Sequence, residues 1–248
     1  MKFRIHHKPV TVSTNQDARA GSPGDVYTAA EQTGGRGRLT HRWLSPPGVN
    51  LMMSVVLDVE GLSPEHVSTF PLMVGLAVRD ALLRFFPSRT ESREQGGGAV
   101  PQIQLKWPND VWVDQRKIAG ILCERRDDRV IAGIGVNVNQ TTFDPEIADR
   151  ATSLACVRGK GGLVSIDMVR EAILEALDRR FSDWRAKGFV YLHADYAAVD
   201  ALAGRTISVR QTDDDAAPVT GRCEGVMPDG TLLVAGTPIF AGEAHIEM

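Results

Sequence analysis

The sequence is short of cysteine, of long apolar runs and of any large excess of one charge. Its three cysteines, Cys123, Cys156 and Cys223, stand far apart. They form no CxxC pair and no metal-ligand spacing, which excludes a disulfide framework and a thiolate metal site and fits a reduced, cytoplasmic setting. No stretch approaches the roughly 18 consecutive apolar residues of a membrane span. The opening "MKFRIHHKPVTV" lacks the apolar centre of a secretory leader. Lys and Arg total 28 against 31 Asp and Glu, a net charge of −3, so the surface as a whole does not draw nucleic acid. What is present is ordinary: 248 residues, 43% hydrophobic and 24% charged, enough for one large domain or a catalytic domain with a small appendage.

Periodicity divides the chain. "FRIHHKPVTV", "VYTAAE" and the apolar, β-branched "NLMMSVVLDV" read as strands, with a short helix "NQDARA" capped by Ser13 or Thr14 and ended by "GSPGD". Val74, Ala77, Val78, Ala81, Leu82 and Phe85 recur at helical spacing and predict a helix over 64–86, with Pro71 in its first turns or at a kink. "SRTESREQGGGAVP" reads as a surface loop. "QIQLKW", "DVWVD", "KIAGILCERR" and "RVIAGIGVNV" follow one another through short polar links, which predicts antiparallel hairpins. A second amphipathic helix starts near Ser165, with Val169, Ile173, Leu174, Leu177, Phe181 and Trp184 on one face, and "HADYAAVDALAG" reads as a shorter one. From Arg205 the texture changes to short strands, "RTISVRQ", "GRCEGV", "TLLVAG" and "AHIEM", split by "DDDAAP" and "PDG". That predicts two units, 1–203 and a small all-β unit at 204–248 of SH3-like barrel type.

Three segments carry chemistry. In "EQTGGRGRLTHRW", glycines permit positive φ and close backbone approach, while Arg36 and Arg38 supply planar forks suited to phosphate or carboxylate. The combination suits a loop that closes over an anion; a solvated turn is the plainer reading. "LKWPNDVWVDQRKIAGIL" has the outline of a hairpin with Trp107 to Asp110 as its corner; Asp110 and Lys106 form either a structural ion pair or part of a site, and Lys117 at a strand end is either solvated or part of that site. In "GIGVNVN", Asn137 lies in an apolar strand, where its amide either satisfies neighbouring backbone or reads a polar ligand such as a purine.

Taken in order, "STN" at 13–15, "QTGGRGR" at 32–38 leading to Trp43, "SPPGVNL" at 45–51, "KWPND" at 106–110, "KIAGIL" at 117–122 and "GIGVNVN" at 133–139 resemble the biotin protein ligase family. The C-terminal "GRTISVR…GTLLV…GEAHI" is similar to that family's small β domain, so the resemblance covers nearly the whole chain. Each motif alone is weak, but their shared order and spacing are specific.

The resemblance implies an α+β fold: a mixed, largely antiparallel central sheet flanked by helices, like class II aminoacyl-tRNA synthetases and biotin ligases, followed by an SH3-like barrel. It implies that biotin and MgATP form biotinyl-5′-AMP, whose acyl group then passes to a specific lysine of a biotin carboxyl carrier protein. Matching motif positions assign Ser13, Thr14, Asn15, Gln32, Arg36, Gly37, Arg38, Lys117 and Gly120 to biotin. Arg36, Arg38, Trp43, Lys106, Asn109, Lys117 and Asn137 are assigned to ATP and the adenylate, and Arg38, Lys117 and Asp110 to catalysis. Asp110 either orients Lys117 or assists deprotonation of the acceptor lysine. No protein metal cage is expected, Mg²⁺ being held by the phosphates. With "STN" at residue 13 there is no room for the DNA-binding domain of the regulatory members, so neither DNA nor membrane is an expected partner. The family includes monomers and homodimers. Two departures stand out: "LTH" puts Thr40 and His41 where the family has glycine and arginine, and the helix after "STN" is short. A lipoate or octanoate ligase on the same scaffold, and a biotin-sensing module without catalysis, are the rival readings.

Overall fold

The computed structural model describes residues 1–39, 41–86, 100–159, 162–211 and 217–247. Seven strands build the main sheet: β1 (Arg4–Thr11), β2 (Asp25–Gln32), β3 (Leu51–Asp58), β4 (Ile103–Lys106), β5 (Asp110–Val113), β6 (Arg116–Arg126) and β7 (Arg129–Val136). Their order is β1-β2-β3-β7-β6-β5-β4. Every neighbouring pair is antiparallel except β1 and β2, which run parallel. The β4–β7 meander follows from its short links, as the sequence predicts. The parallel start does not, because it requires the chain to cross over through α1 (Thr14–Asp17) and a 3-10 turn at Ala18–Ala20.

β1 is the free edge, and its residues are almost all exposed. Arg4 N–H donates to Gly24 O, so alternate amides face β2 and Pro9 falls on the outward side. An outward proline offers no N–H to an incoming strand, which blunts the edge against self-pairing.

One face of the sheet is covered by helices. α2 (Pro64–Ser68) is capped by Ser63, and α3 (Phe70–Leu82) continues into a 3-10 turn at Leu83–Phe85. The predicted 64–86 helix is therefore broken at Thr69, with Pro71 at the start of α3, where its missing N–H costs nothing. Gly75 brings α3 within van der Waals reach of Leu105 and Ile121. α4 (Leu154–Arg158) was not foreseen from the sequence; α5 (Ile166–Lys187), capped by Ser165, was. α6 spans Phe189–Ala197 after Gly188 at φ 73°. It therefore begins before "HADYAAVDALAG", whose last residues form a turn. The predicted loop at 88–101 lies almost wholly outside the described residues.

The C-terminal strands β8 (Thr206–Gln211), β9 (Val219–Val226), β10 (Leu232–Val234), β11 (Thr237–Ile239) and β12 (Gly242–Ile246) form a second antiparallel sheet, β11-β10-β9-β8-β12. Among the described residues no ladder joins β11 to β12, so it is described as an open five-stranded sheet rather than a closed barrel. Its apolar face, with Ile207, Val209, Cys223, Leu232 and Ile239 fully buried, belongs to the same continuous core as α3, α5 and the main sheet. At the seam, Trp107 Nε1 donates to Gly230 O (3.2 Å). Asp200 accepts from Leu202 N–H (2.9 Å) and Val226 N–H (3.1 Å). Burial raises the Asp200 carboxyl above its ordinary value, and those backbone donors pull against the rise.

Candidate active site

The sheet face opposite α3 carries the site. Alternation puts Gly120, Leu122 and Glu124 of β6 on this face, beside Gly133 and Gly135 of β7 and Ser54 of β3. Three glycines without side chains open a trough there. A Cβ on Gly135 would lie 2.5 Å from Trp43 Cε2, and one on Gly120 would lie 3.1 Å from both Trp43 Cζ3 and Lys117 Cε. A Cβ on Gly133 would collide with Asn15 Oδ1. The indole and the amide therefore occupy space that any other residue would fill.

At one end lies a buried polar network. Gln32 Oε1 accepts from Thr14 N–H (2.7 Å) and Thr14 Oγ1 (3.0 Å). Ser54 Oγ lies 2.7 Å from Thr14 Oγ1 and donates to Asn15 Oδ1 at 2.6 Å. Ser13 sits at the N-cap of α1, but its side chain makes no capping bond, so the expected cap role is not the one it plays.

At the other end, Lys117 Nζ touches Asp110 Oδ1 at 2.7 Å and lies 5.8 Å from the centroid of the Trp43 ring. The ion contact is close but not aligned as a hydrogen bond, and Asp110 Oδ1 is buried without an aligned donor. Lys106 Nζ stands 5.0 Å over Trp112. Burial lowers the Lys106 pKa, against the pull of Asp110. Residues 150–152 strap the start of β6: Lys117 N–H donates to Arg150 O (2.7 Å) and Thr152 N–H to Lys117 O (2.9 Å). Asn137 Nδ2 donates to Thr152 O (3.0 Å), which ties the strap to β7. Asn109 Nδ2 donates to Ile121 O (2.8 Å), so this amide pins the Trp107–Asp110 turn to β6.

The Gly/Arg segment is a hairpin folded over the trough. Arg36 and Arg42 form an antiparallel bridge, Gly37 N–H donates to His41 O (2.8 Å) and Trp43 N–H to Gly35 O (3.1 Å). Arg36 and Arg38 part company. Arg38 Nη1 donates to Gly242 O of β12 (3.1 Å), and burial lowers its pKa against the charges of Asp110 and Glu243. Arg36 Nη2 instead donates to Glu124 Oε1 at 2.9 Å. His41 Nε2 lies 3.3 Å from Glu243 Oε2. Of the residues singled out from sequence, Lys117, Asp110, Trp43 and Gly120 meet directly; Ser13 to Asn15 and Gln32 cluster around the buried network; the guanidinium of Arg36 reaches that network only through Glu124.

Residues 8–140 match the biotin/lipoate A/B protein ligase family, more than half the chain. The chain belongs to that family. It is 34% identical to the biotin–[acetyl-CoA-carboxylase] ligase of Mycobacterium tuberculosis, over 80% of this chain and 71% of that one. It is 30% identical to the bifunctional ligase/repressor BirA of Bacillus subtilis, over 85% of this chain. The chain spans about three fifths of the length of the two Bacillus ligase/repressors it matches, 61% in each case. The solved biotin protein ligase from Aquifex aeolicus in complex with biotin and ATP superposes with a TM-score of 0.80 at 27% identity, covering 98% of both chains.

For this family member, motif reading passed over Ser54, Glu124 and Glu243, and it took "GIGVNVN" for Asn137 and not for Gly133 and Gly135. The two β7 glycines had a signal, since GxG on a strand clears one face. The other three had none: their part in the site comes from cross-strand adjacency or from the second sheet.

Proposed function

We propose that the protein is an ATP-dependent ligase that activates biotin as biotinyl-5′-AMP and transfers it to a specific lysine of a biotin carboxyl carrier protein. The observation that carries this reading is Lys117, in contact with Asp110 at one end of a trough whose other end is a buried network of donors and acceptors, with Arg38 within the electrostatic reach of the same Asp110. A cyclic urea needs such a network; a dithiolane or an alkyl chain does not, which favours biotin over lipoate or octanoate. Binding biotin alone needs no phosphate cations, which disfavours a mere sensor.

In the first step a biotin carboxylate oxygen attacks the α-phosphorus of ATP. The bond to the bridging oxygen breaks and pyrophosphate leaves. Arg38 and Lys117 meet the charge that grows on the α-phosphoryl oxygens, in a site screened from water by the hairpin. Trp43 and Asn137 are read as adenylate contacts, and Lys106 as a further phosphate cation. Mg²⁺ arrives as part of MgATP; among the described residues no group of three His, Cys, Asp or Glu offers it a cage. In the second step the acceptor amine, already deprotonated, attacks the acyl carbon and AMP leaves with the bonding pair. As the amide forms, the nitrogen sheds one proton, to the AMP phosphate or to water, and Asp110 either keeps the Lys117 ammonium oriented or takes that proton. We read the second sheet as the SH3-like unit of the family, with the boundary near Gly204, and the net charge as arguing against a role on DNA. Among the described residues no helix is long and apolar enough to cross a membrane. The three widely spaced cysteines are the ground on which we assign the reaction to the cytoplasm.

Two linked assays test this. ATP–pyrophosphate exchange should depend on biotin and not on lipoate, and labelled biotin should reach a carrier domain only with ATP. Exchange driven equally by lipoate, or no transfer with ATP present, overturns the reading.

A further inference from the structure

Glu124 lies seven residues beyond Lys117 on the trough side of β6, where no motif drew attention to it. Its two oxygens do different work. Oε1 accepts from Arg36 Nη2 at 2.9 Å and lies 3.7 Å from Arg19 Nη2. Oε2 accepts from Asn15 Nδ2 at 3.3 Å. That amide also donates to Leu122 O at 3.2 Å, so both its protons are committed and its Oδ1 turns to Ser54. A carboxylate only accepts, so Glu124 allows one orientation of the Asn15 amide. The flipped amide would set oxygen against oxygen at both Glu124 and Leu122 O.

We infer that Glu124 is a positioning residue of the ligase. By gripping Arg36 it anchors the first arm of the Gly/Arg hairpin over the polar end of the trough, and by orienting Asn15 it sets the donor and acceptor order of the network beneath. The inference rests on the ligase reading for its link to biotin, but the anchor itself is a property of the ligand-free chain. It also gives Arg36 a role different from phosphate binding. The side chains of Arg36 and Glu124 are 47% and 20% exposed, so the pair holds weakly. A weak anchor suits a hairpin that has to open for biotin and again for the acceptor.

The test uses Glu124→Gln, Arg36→Gln, the double variant and Glu124→Asp. First, ligand-free protein is treated with trypsin and cleavage after Arg38 and Arg42 is followed by mass spectrometry. Glu124→Gln and Arg36→Gln should each speed these cuts with little change in Tm. The double variant should be no faster than the quicker single, and Glu124→Asp should fall between parent and Gln. Second, in biotin-dependent pyrophosphate exchange, Glu124→Gln should raise the KM for biotin about 3–10-fold, the scale of one lost charged contact, while the KM for ATP moves less than about twofold. Unchanged cleavage at unchanged Tm, effects that multiply in the double variant, or KM values for biotin and ATP that rise together would overturn the inference. If the parent shows no biotin-dependent exchange, the ligase reading falls, and the cleavage series still decides the anchor.

Discussion

A single carboxylate can serve the fold rather than the chemistry, and Asp25 is the clearest case. It accepts from Ser22 N–H at 2.8 Å, from Arg4 Nε at 2.8 Å and meets His6 Nε2 at 3.1 Å, tying the free edge strand to its neighbour. The Ser22 amide bond is the largest influence on it. Against the cost of burial, and with help from His6 and Arg4, it brings the pKa from 3.8 to about 2. A lowered carboxyl stabilises the folded state above its unfolded value, and that contribution is lost as pH falls from about 4 toward 2. Asp25→Asn should therefore lose on the order of 1 kcal/mol at pH 7. Urea titrations at pH 7, 4 and 2.5 should show the gap between parent and variant closing on the acid side. A gap that stays constant with pH would refute the account. Residues of this kind carry no motif. Lys117, Asp110 and Arg38 were legible as candidates because charges beside glycines and a tryptophan stand out along the chain. Asp25, Glu124 and Ser54 were not, because their partners lie 21, 88 and 40 residues away across the sheet.

At the scale of elements, alternation and helical spacing located nearly every strand and the two long helices. Pairing was a different matter. Nothing in "FRIHHKPVTV" says that it runs parallel to the strand after it, since that depends on how tightly α1 turns the chain. α4 was hidden because five residues are too few for a period to register. "FVYL" reads as apolar filler until Gly188 is known to end α5 and start α6. The β7 strand shows how an element's face can be the site. Gly135→Ala puts a methyl 2.5 Å from Cε2 and 2.7 Å from Cζ2 of Trp43, so the indole must leave the notch or β7 must move. Either way about 1–3 kcal/mol of stability is expected to be lost. Adenylate formation should drop about tenfold or more, since each 1.4 kcal/mol of misplacement is a factor of ten. Tryptophan fluorescence should shift with the loss of that contact. Parental activity with parental fluorescence would show that the notch is not needed.

For the whole molecule the decisive fact is that the two sheets share one apolar core. The compositional break at Arg205 was legible, yet it marks a change of texture and not a gap in packing. Thermal and urea unfolding should accordingly be a single transition, with far-ultraviolet ellipticity and tryptophan fluorescence coinciding. Two separated transitions would mean that the sheets stand independently. The hairpin has its own bearing on this unity. Its first arm is held by Glu124 of the main sheet, while its tip reaches Gly242 and Glu243 of the second. It is thus a crossbeam between the two halves. Anything that seats the beam more firmly has to tighten the joint beneath it, so that filling the trough and resisting heat become two faces of one event.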